Sequence, residues 1–246
     1  MNTYRADLHI HTVLSPCGDL DMSPTRIIEK AREKGLDIIG ITDHNSTRHC
    51  RLIRDLARPA GIFVLMGAEV TTREEVHCLS FFENDDQLME FQAYLEQHLP
   101  PVPNDTQKFG YQVVVDKDEQ ILEEIEYLLI SALDQSINQV EQKVHSLGGI
   151  FIPAHIDRPS YSITSQLGFI PDDLQIDGVE ISAGCKKETM LPFLPKHSNV
   201  SVIRSSDAHY PNQVGMVFTT FGMEHRSFRE IKSALHTFAG RSIITQ

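Results

Sequence analysis

Imidazoles and carboxylates recur in this chain at positions where they could act together. His9 and His11 stand two residues apart at the end of the strand-like run Tyr4 to Ile10, and the two-residue alternation of a strand turns both rings to one face. Asp207 and His209 repeat that spacing after the run Val200 to Arg204. His44 follows Asp43 directly behind Asp37 to Thr42, Glu69 lies just past Ile62 to Met66, and His155 lies just past Ile150 to Pro153. His77 opens a run, His77 to Phe82, instead of closing one, and only seven residues separate it from Glu69. A parallel crossover needs about ten to twelve residues. The chain must therefore reverse, and an antiparallel strand starting at His77 begins beside the end of the Glu69 strand. One histidine near a strand end is ordinarily just hydrogen-bonded. Several, converging with carboxylates on one rim, are what metal chemistry requires.

The elements that must position these groups are short β-rich runs alternating with amphipathic helices, the pattern of a layered or barrel α/β fold. In such folds the carboxyl ends of parallel strands share one face, so separate strands deliver their side chains to one rim. Helix boundaries are well marked. Ser23 and Pro24 read as N-cap and first helical residue, with Gly35 as the left-handed stop. Ser136 with Gln139 and Ser227 with Glu230 read as capping boxes, and Gly148 and Gly240 follow the apolar faces of their helices. The stretch Glu83 to Gly149 is too long for one crossover helix and carries Pro100, Pro101 and Pro103 before the β-like Gln112 to Val115. It reads as helices plus a small insertion, around residues 100–118, that covers one end of a barrel. With no repeat or linker-like tract, residues 1–246 read as a single domain.

Composition narrows the function classes. A chain of 246 residues with 41% hydrophobic and 23% charged residues can bury a substantial core. The net charge of -12, from 34 acidic against 22 basic residues, argues against a nonspecific nucleic-acid binder. Duplex binding is accordingly not expected. The expected partner is a small phosphorylated substrate, a nucleotide or a short oligonucleotide, for which bound metal supplies positive charge locally. No apolar run is long enough for a membrane span, and the N-terminus passes straight into strand-like sequence without room for a signal peptide. The cysteines, Cys17, Cys50, Cys78 and Cys185, are scattered, so a reducing cytoplasm is the expected setting. His49, His98, His145, His197, His225 and His236 fall on helical or loop segments without evident partners and are assigned no role.

The runs Asp7-Leu8-His9-Ile10-His11-Thr12, Thr42-Asp43-His44-Asn45, Gly67-Ala68-Glu69 followed by His77, Pro153-Ala154-His155 and Ser205-Ser206-Asp207-Ala208-His209 resemble, in order and spacing, the motifs of the PHP (polymerase and histidinol phosphatase) superfamily. The resemblance implies a distorted seven-stranded β/α barrel of TIM-like type holding two to three divalent ions, zinc, manganese or iron. It implies His9, His11, Glu69 and Asp207 at one ion, Glu69 bridging to a second held by His77 and His155, and His44 with His209 at a third. A first-loop residue would complete the third position. Here that loop departs from the commoner Ser-Asp-Gly form and reads Ser15-Pro16-Cys17-Gly18-Asp19-Leu20-Asp21-Met22-Ser23-Pro24. Counting back from the helix cap favours Asp19. Asp21 is the alternative, and Cys17 is read as filling a pocket near the site.

Such a centre is positively charged and attracts a phosphate dianion. The expected reaction is metal-dependent hydrolysis of a phosphomonoester, or of a nucleotide or oligonucleotide phosphate, by a metal-bridging hydroxide, with Glu69 and Asp207 in the machinery. Histidinol phosphate competes as substrate within that class. An amidohydrolase-like deaminase or amidase, and a noncatalytic metal-binding module, are the readings from other classes. Asp7 and Asp43, beside the histidines, could orient an imidazole or cap a strand end. Arg158, three residues past His155, puts a guanidinium on the rim with geometry suited to phosphate oxygens, and Lys186 and Lys187 are weaker candidates.

Overall fold

The structure is a computed structural model and describes residues 1–194 and 200–244; of the histidines set aside above, His197 lies outside them. In chain order the strands are β1 (Asn2–Ile10), β2 (Ile38–Ile41), β3 (Phe63–Thr71), β4 (His77–Phe82), β5 (Val113–Val115), β6 (Ile121–Glu124), β7 (Ile150–Pro153), β8 (Val179–Glu180), β9 (Val202–Ile203), β10 (Thr219–Met223) and β11 (Ser242–Ile244). The helices are α1 (Pro24–Glu33), α2 (Cys50–Ala57), α3 (Asp85–His98), α4 (Thr106–Phe109), α5 (Ile137–Ser146), α6 (Ile163–Leu167), α7 (Lys187–Met190) and α8 (Phe228–Leu235).

Seven strands form one mixed sheet in the order β11-β10-β1-β2-β3-β4-β7. Strands β1, β2 and β3 run parallel, so the ends that carry His11, the segment before His44, and Glu69 emerge together. β4 reverses against β3 with Thr71 opposite His77, as the short spacing from Glu69 requires. β3 runs on through Glu69 to Thr71 because β4 pairs with its last six residues. Glu69 is therefore held within a ladder and not in the loop beyond a strand.

The expected seven-stranded barrel is realised only as a curled, unclosed wall. β8 and β9 form a separate parallel pair. Scattered hydrogen bonds, not a ladder, join β7 and the residues after it to that pair and its approach: the Ile156 N–H donates to the Glu180 carbonyl at 2.9 Å, the Phe151 N–H to Asp177 Oδ2 at 2.7 Å, and the Asp177 N–H to the Phe151 carbonyl at 2.9 Å. On the far side, β10 occupies the edge of β1 from Asn2 to Ala6, leaving only its last residues to bridge Ala208. Two-residue strands and an occupied edge cannot complete a continuous ladder. The bridge at Ala208 nevertheless brings Asp207 and His209 against the end of β1.

Apolar side chains fill both faces of the sheet. Ile39, Ile41, Val64 and Met66 pack with Ile27, Ala31 and Ile53 from α1 and α2, while Leu8, Ile38, Leu65, Leu79 and Phe221 form the second cluster with α8. Full burial of side chains this size contributes about 1.5 to 3 kcal/mol each, which is what holds the rim geometry. The caps at Ser23 and Ser136 form as the sequence indicates, the latter as a full capping box. At Ser227 only half of the box forms. Its hydroxyl accepts from the Glu230 N–H, but the Glu230 carboxylate accepts from the Glu224 N–H and from Arg241 instead.

The segment expected as an insertion around residues 100–118 holds α4 and β5, and β5 pairs with β6 beyond it as a hairpin with Val113 opposite Glu124. It rests on the first loop through Val13, Val113 and Val115, and the Val115 N–H donates to Nε2 of buried His49 at 3.0 Å. Several histidines without evident partners in the sequence have them in space. His98 pairs with Asp134, and His145 and His236 both hold Asp177, at 3.0 and 2.6 Å. Burial pushes the Asp177 carboxyl up, but the two imidazole hydrogen bonds outweigh it and hold the group well below the usual carboxylate range.

Candidate metal centre

The ends of β1, β2, β3 and β7, the start of β4 and the segment after β9 converge on Glu69. Its carboxylate is buried and five imidazoles surround it. Oε1 lies 3.3 Å from His9 Nε2, 2.9 Å from His77 Nδ1 and 3.1 Å from His155 Nε2. Oε2 lies 3.3 Å from His11 Nε2 and 3.1 Å from His44 Nδ1. Asp207 Oδ1 approaches both His9 and His11 at 3.2 Å. Within this cluster three sets of side chains have donor atoms close enough to share an ion: His9, His11, Glu69 and Asp207; His44, Glu69 and His77; and His11, Cys17, His44 and His209.

The surroundings decide which ring nitrogen faces the centre. His9 Nδ1 donates to Glu180 Oε2 at 3.0 Å, and His209 Nδ1 donates to the Asp207 carbonyl at 2.9 Å. Ser15 Oγ gives its own hydrogen to Asp43 Oδ1 at 2.7 Å, so His11 Nδ1, 2.9 Å away, must donate to it. All three rings therefore turn Nε2 inward, the arrangement outer carboxylates and carbonyls impose on metal-binding imidazoles.

Charge follows the same pattern. Burial lowers the pKa of His9 and His11, but the carboxylates around them win, raising His9 well above its ordinary value and His11 to about 9. Burial dominates at the other two rings, lowering His44 well below its ordinary value and His209 to about 4. The imidazoles reverse the effect of burial on Glu69 and Asp207 and hold both far below the usual carboxylate range. Protons on His9 and His11 thus stand where a cation would supply charge, and binding one would displace them.

Unsatisfied buried atoms test whether a metal fits. Of the eleven buried side-chain nitrogen and oxygen atoms without a hydrogen-bond partner among the described residues, five belong to this cluster or touch it: His44 Nδ1, His77 Nε2, His155 Nδ1, Glu180 Oε1 and Asp207 Oδ1. A native interior rarely leaves so many polar atoms unpaired in one place. The donor set of imidazoles, carboxylates and a thiol is what divalent transition ions take, so the residues fit the group. Backbone strain concentrates here as well. Asn45, His155, Tyr161 and Asp207 all take left-handed φ, at 44°, 29°, 55° and 49°, a cost that surrounding structure must offset.

The structure brings together His9, His11, His44, Glu69, His77, His155, Asp207 and His209. It does not bring Asp19 to them. Asp19 Oδ1 accepts the Asp21 N–H at 2.8 Å, closing a turn within the first loop, and Cys17 takes the place beside His11, His44 and His209. The loop folds back before the helix starts, on itself through the Gly18 N–H and onto His209 through the Asp19 N–H. Arg158 reaches Asp207 Oδ2 at 2.6 Å with its side chain 41% exposed, while Lys186 is exposed. Asp7 and Asp43 act on backbone and loop, not on a ring directly. Asp7 accepts from Ser206 N–H and Oγ and from the Gly215 N–H, fastening the Asp207 segment to β1. Asp43 accepts from Thr12 N–H and Oγ1 and from Ser15, and reaches His11 only through that serine. Sequence reasoning missed Glu180. A carboxylate inside the apolar run Gly178 to Ser182 was the available signal, since a charge buried in a strand needs a partner.

The PHP domain model matches residues 7–154, more than half of the chain, and the chain belongs to the PHP domain family. It is 24% identical to the uncharacterized protein YqxK of Bacillus subtilis over 99% of its own length and 65% of that protein's. Endonuclease Q of Pyrococcus furiosus has the same fold, with a TM-score of 0.74, 21% identity, and coverage of 98% of this chain against 58% of that one. A candidate metal-dependent phosphoesterase from Bifidobacterium adolescentis matches with a TM-score of 0.64 and 19% identity, over 87% of this chain and 91% of that one. The chain thus spans about two thirds or less of the length of YqxK and of Endonuclease Q. Endonuclease Q is also known bound to a 27-mer duplex with an abasic lesion at its active site. That complex overturns the expectation of no duplex binding, which was drawn from net charge. Charge summed over a whole chain does not set the potential at one rim, where bound cations and local residues dominate. Among the described residues, no helix is long and apolar enough to cross a membrane.

Proposed function

We propose that the chain is a single catalytic unit that hydrolyses phosphate esters with divalent metals held around Glu69. The observation that carries this reading is the convergence of six imidazoles on Glu69 and Asp207, with unpaired ring and carboxylate atoms among them. His9, His11, Glu69 and Asp207 would hold one ion, Glu69, His77 and His155 a second, and His44 and His209 part of a third. Divalent metals held there would lower the pKa of water and neutralise charge on a phosphoryl group. The chain's own residues do the rest. Glu180, Ser15 and the Asp207 carbonyl hold the inward tautomers of His9, His11 and His209, and Arg158 would grip the phosphoryl oxygens at the open side. No side chain is required as a nucleophile.

The substrate class is a phosphate within, or at the end of, a nucleic-acid strand, with small phosphomonoesters as the second reading. The likeness to Endonuclease Q supports the former. A further support is the half-exposed ring of Tyr161, which stacks on His77 at 4.8 Å and leaves an aromatic surface at the rim suited to a base. Phosphate release and strand cleavage, measured side by side on histidinol phosphate, nucleotides, nucleoside bisphosphates, single strands and duplexes carrying a lesion, with manganese or zinc added, separate the two. Turnover confined to strands supports the first reading, turnover confined to monoesters supports the second, and turnover on none with metal bound contradicts both.

The same assay reads Arg158. Arg158→Ala should lower kcat/KM about ten- to a hundredfold, the scale of losing a charge-assisted contact of about 1.5 to 3 kcal/mol. Arg158→Lys should recover only part of it. A marked fall in melting temperature with intact kinetics would instead show that the guanidinium serves to hold Asp207 in place.

A further inference from the structure

We propose that Cys17 is a metal ligand, its thiolate completing the position shared by His44 and His209, so that this position takes a thiophilic ion such as zinc. The inference rests on the metal-centre reading above and adds to it the identity of the first-loop ligand and the chemistry that ligand selects.

The Cys17 Sγ lies within 4.8 Å of the donor atoms of His11, His44 and His209. The loop is built to put it there. The Gly18 N–H donates to the Ser15 carbonyl at 2.8 Å, and the Asp19 N–H donates to the His209 carbonyl at 2.8 Å, strapping the cysteine's own turn to the segment that carries one of its neighbours. A Cβ on Gly18 would stand 2.5 Å from the Thr12 carbonyl oxygen. Only glycine allows the turn to close so tightly. Asp19, one residue further, accepts the Asp21 N–H through Oδ1.

Two features of the neighbouring imidazoles, one fully buried and one partly buried, point to a ligand. His44 is 2% exposed, yet its Nδ1 makes no aligned hydrogen bond even with Glu69 Oε2 nearby. His209 donates through Nδ1 to the Asp207 carbonyl, which leaves its Nε2 lone pair facing the group, and its ring stacks on His11 at 4.2 Å. Imidazoles packed this closely, with a sulfur beside them, make a poor structural cluster and a good coordination sphere. A thiolate with two or three imidazoles favours zinc and other borderline or soft ions over manganese or magnesium, which prefer oxygen. The aspartate first read from the loop spacing would have made a harder site.

The test is cobalt substitution of the full chain after removal of its metals. Cobalt in the wild type should give its visible ligand-field bands together with a sulfur-to-cobalt charge-transfer band in the near ultraviolet. Cys17→Ser should lose the ultraviolet band, keep the visible bands, and bind its last equivalent of cobalt at least about tenfold more weakly. Asp19→Ala and Cys185→Ser should keep both sets of bands. Visible bands without the sulfur band in the wild type, or a sulfur band that survives Cys17→Ser, would overturn the assignment while leaving the metal centre standing. Absence of any cobalt binding would overturn both.

Discussion

Glu69→Gln should all but abolish turnover, by about a thousandfold, while the chain stays folded. The substitution keeps the volume and shape of a side chain whose β3 backbone is paired on both sides, so the packing has little reason to change. What it removes is the negative charge at the one point reached by five imidazoles. An amide offers one oxygen where the carboxylate offers two, and its NH2 group meets ring nitrogens that need an acceptor or a cation. Two ion positions lose their shared ligand at once, so metal content should fall together with activity. The magnitude follows the scale seen when a preorganised charge facing a transition state is deleted. Metal analysis and phosphate release on the same purified variant check it. A Glu69→Gln chain that retained its full metal content and its turnover would show that the carboxylate is structural.

Glu180→Ala should cost about ten- to a hundredfold in metal affinity or activity, although the residue touches no ion in the proposed arrangement. Its Oε2 accepts from His9 Nδ1 at 3.0 Å and from the His155 N–H at 3.1 Å, so it orients one ligand and fixes the backbone of another. Removing it frees the His9 ring to present the wrong nitrogen, and outer carboxylates of this kind typically contribute one to two orders of magnitude. Its role as a positioning residue can be told from a purely structural one. Added zinc or manganese should restore much of the lost turnover in Glu180→Ala, and Glu180→Asp should do better than alanine. If the variant were destabilised and no metal concentration recovered activity, Glu180 would belong to the fold alone.

Much of this centre was legible in the sequence because strand alternation and strand ends are local. His9 and His11 share a face by spacing alone, and the seven residues between Glu69 and His77 demanded a reversal that β3 and β4 make. What was not legible depended on how loops fold back. The first loop passes its cysteine, not its aspartate, to His44 and His209, because hydrogen bonds from Gly18 and Asp19 close it upon itself and on His209. Glu180 sits on a strand of two residues, too short for any periodicity to declare which way it faces. The Asp177 clamp joins α5 to the residue after α8 across the molecule, a contact no local pattern encodes. Barrel closure failed as an expectation for a related reason: β10 had first claim on the edge of β1.

Chelation followed by metal return tests the metal centre most directly. The purified chain should contain more than a single equivalent of transition metal, lose phosphoesterase activity as chelator removes it, and regain activity on addition of zinc or manganese. Undiminished turnover in a chain shown by metal analysis to be free of transition metal would contradict the assignment of the Glu69 cluster as the catalytic centre.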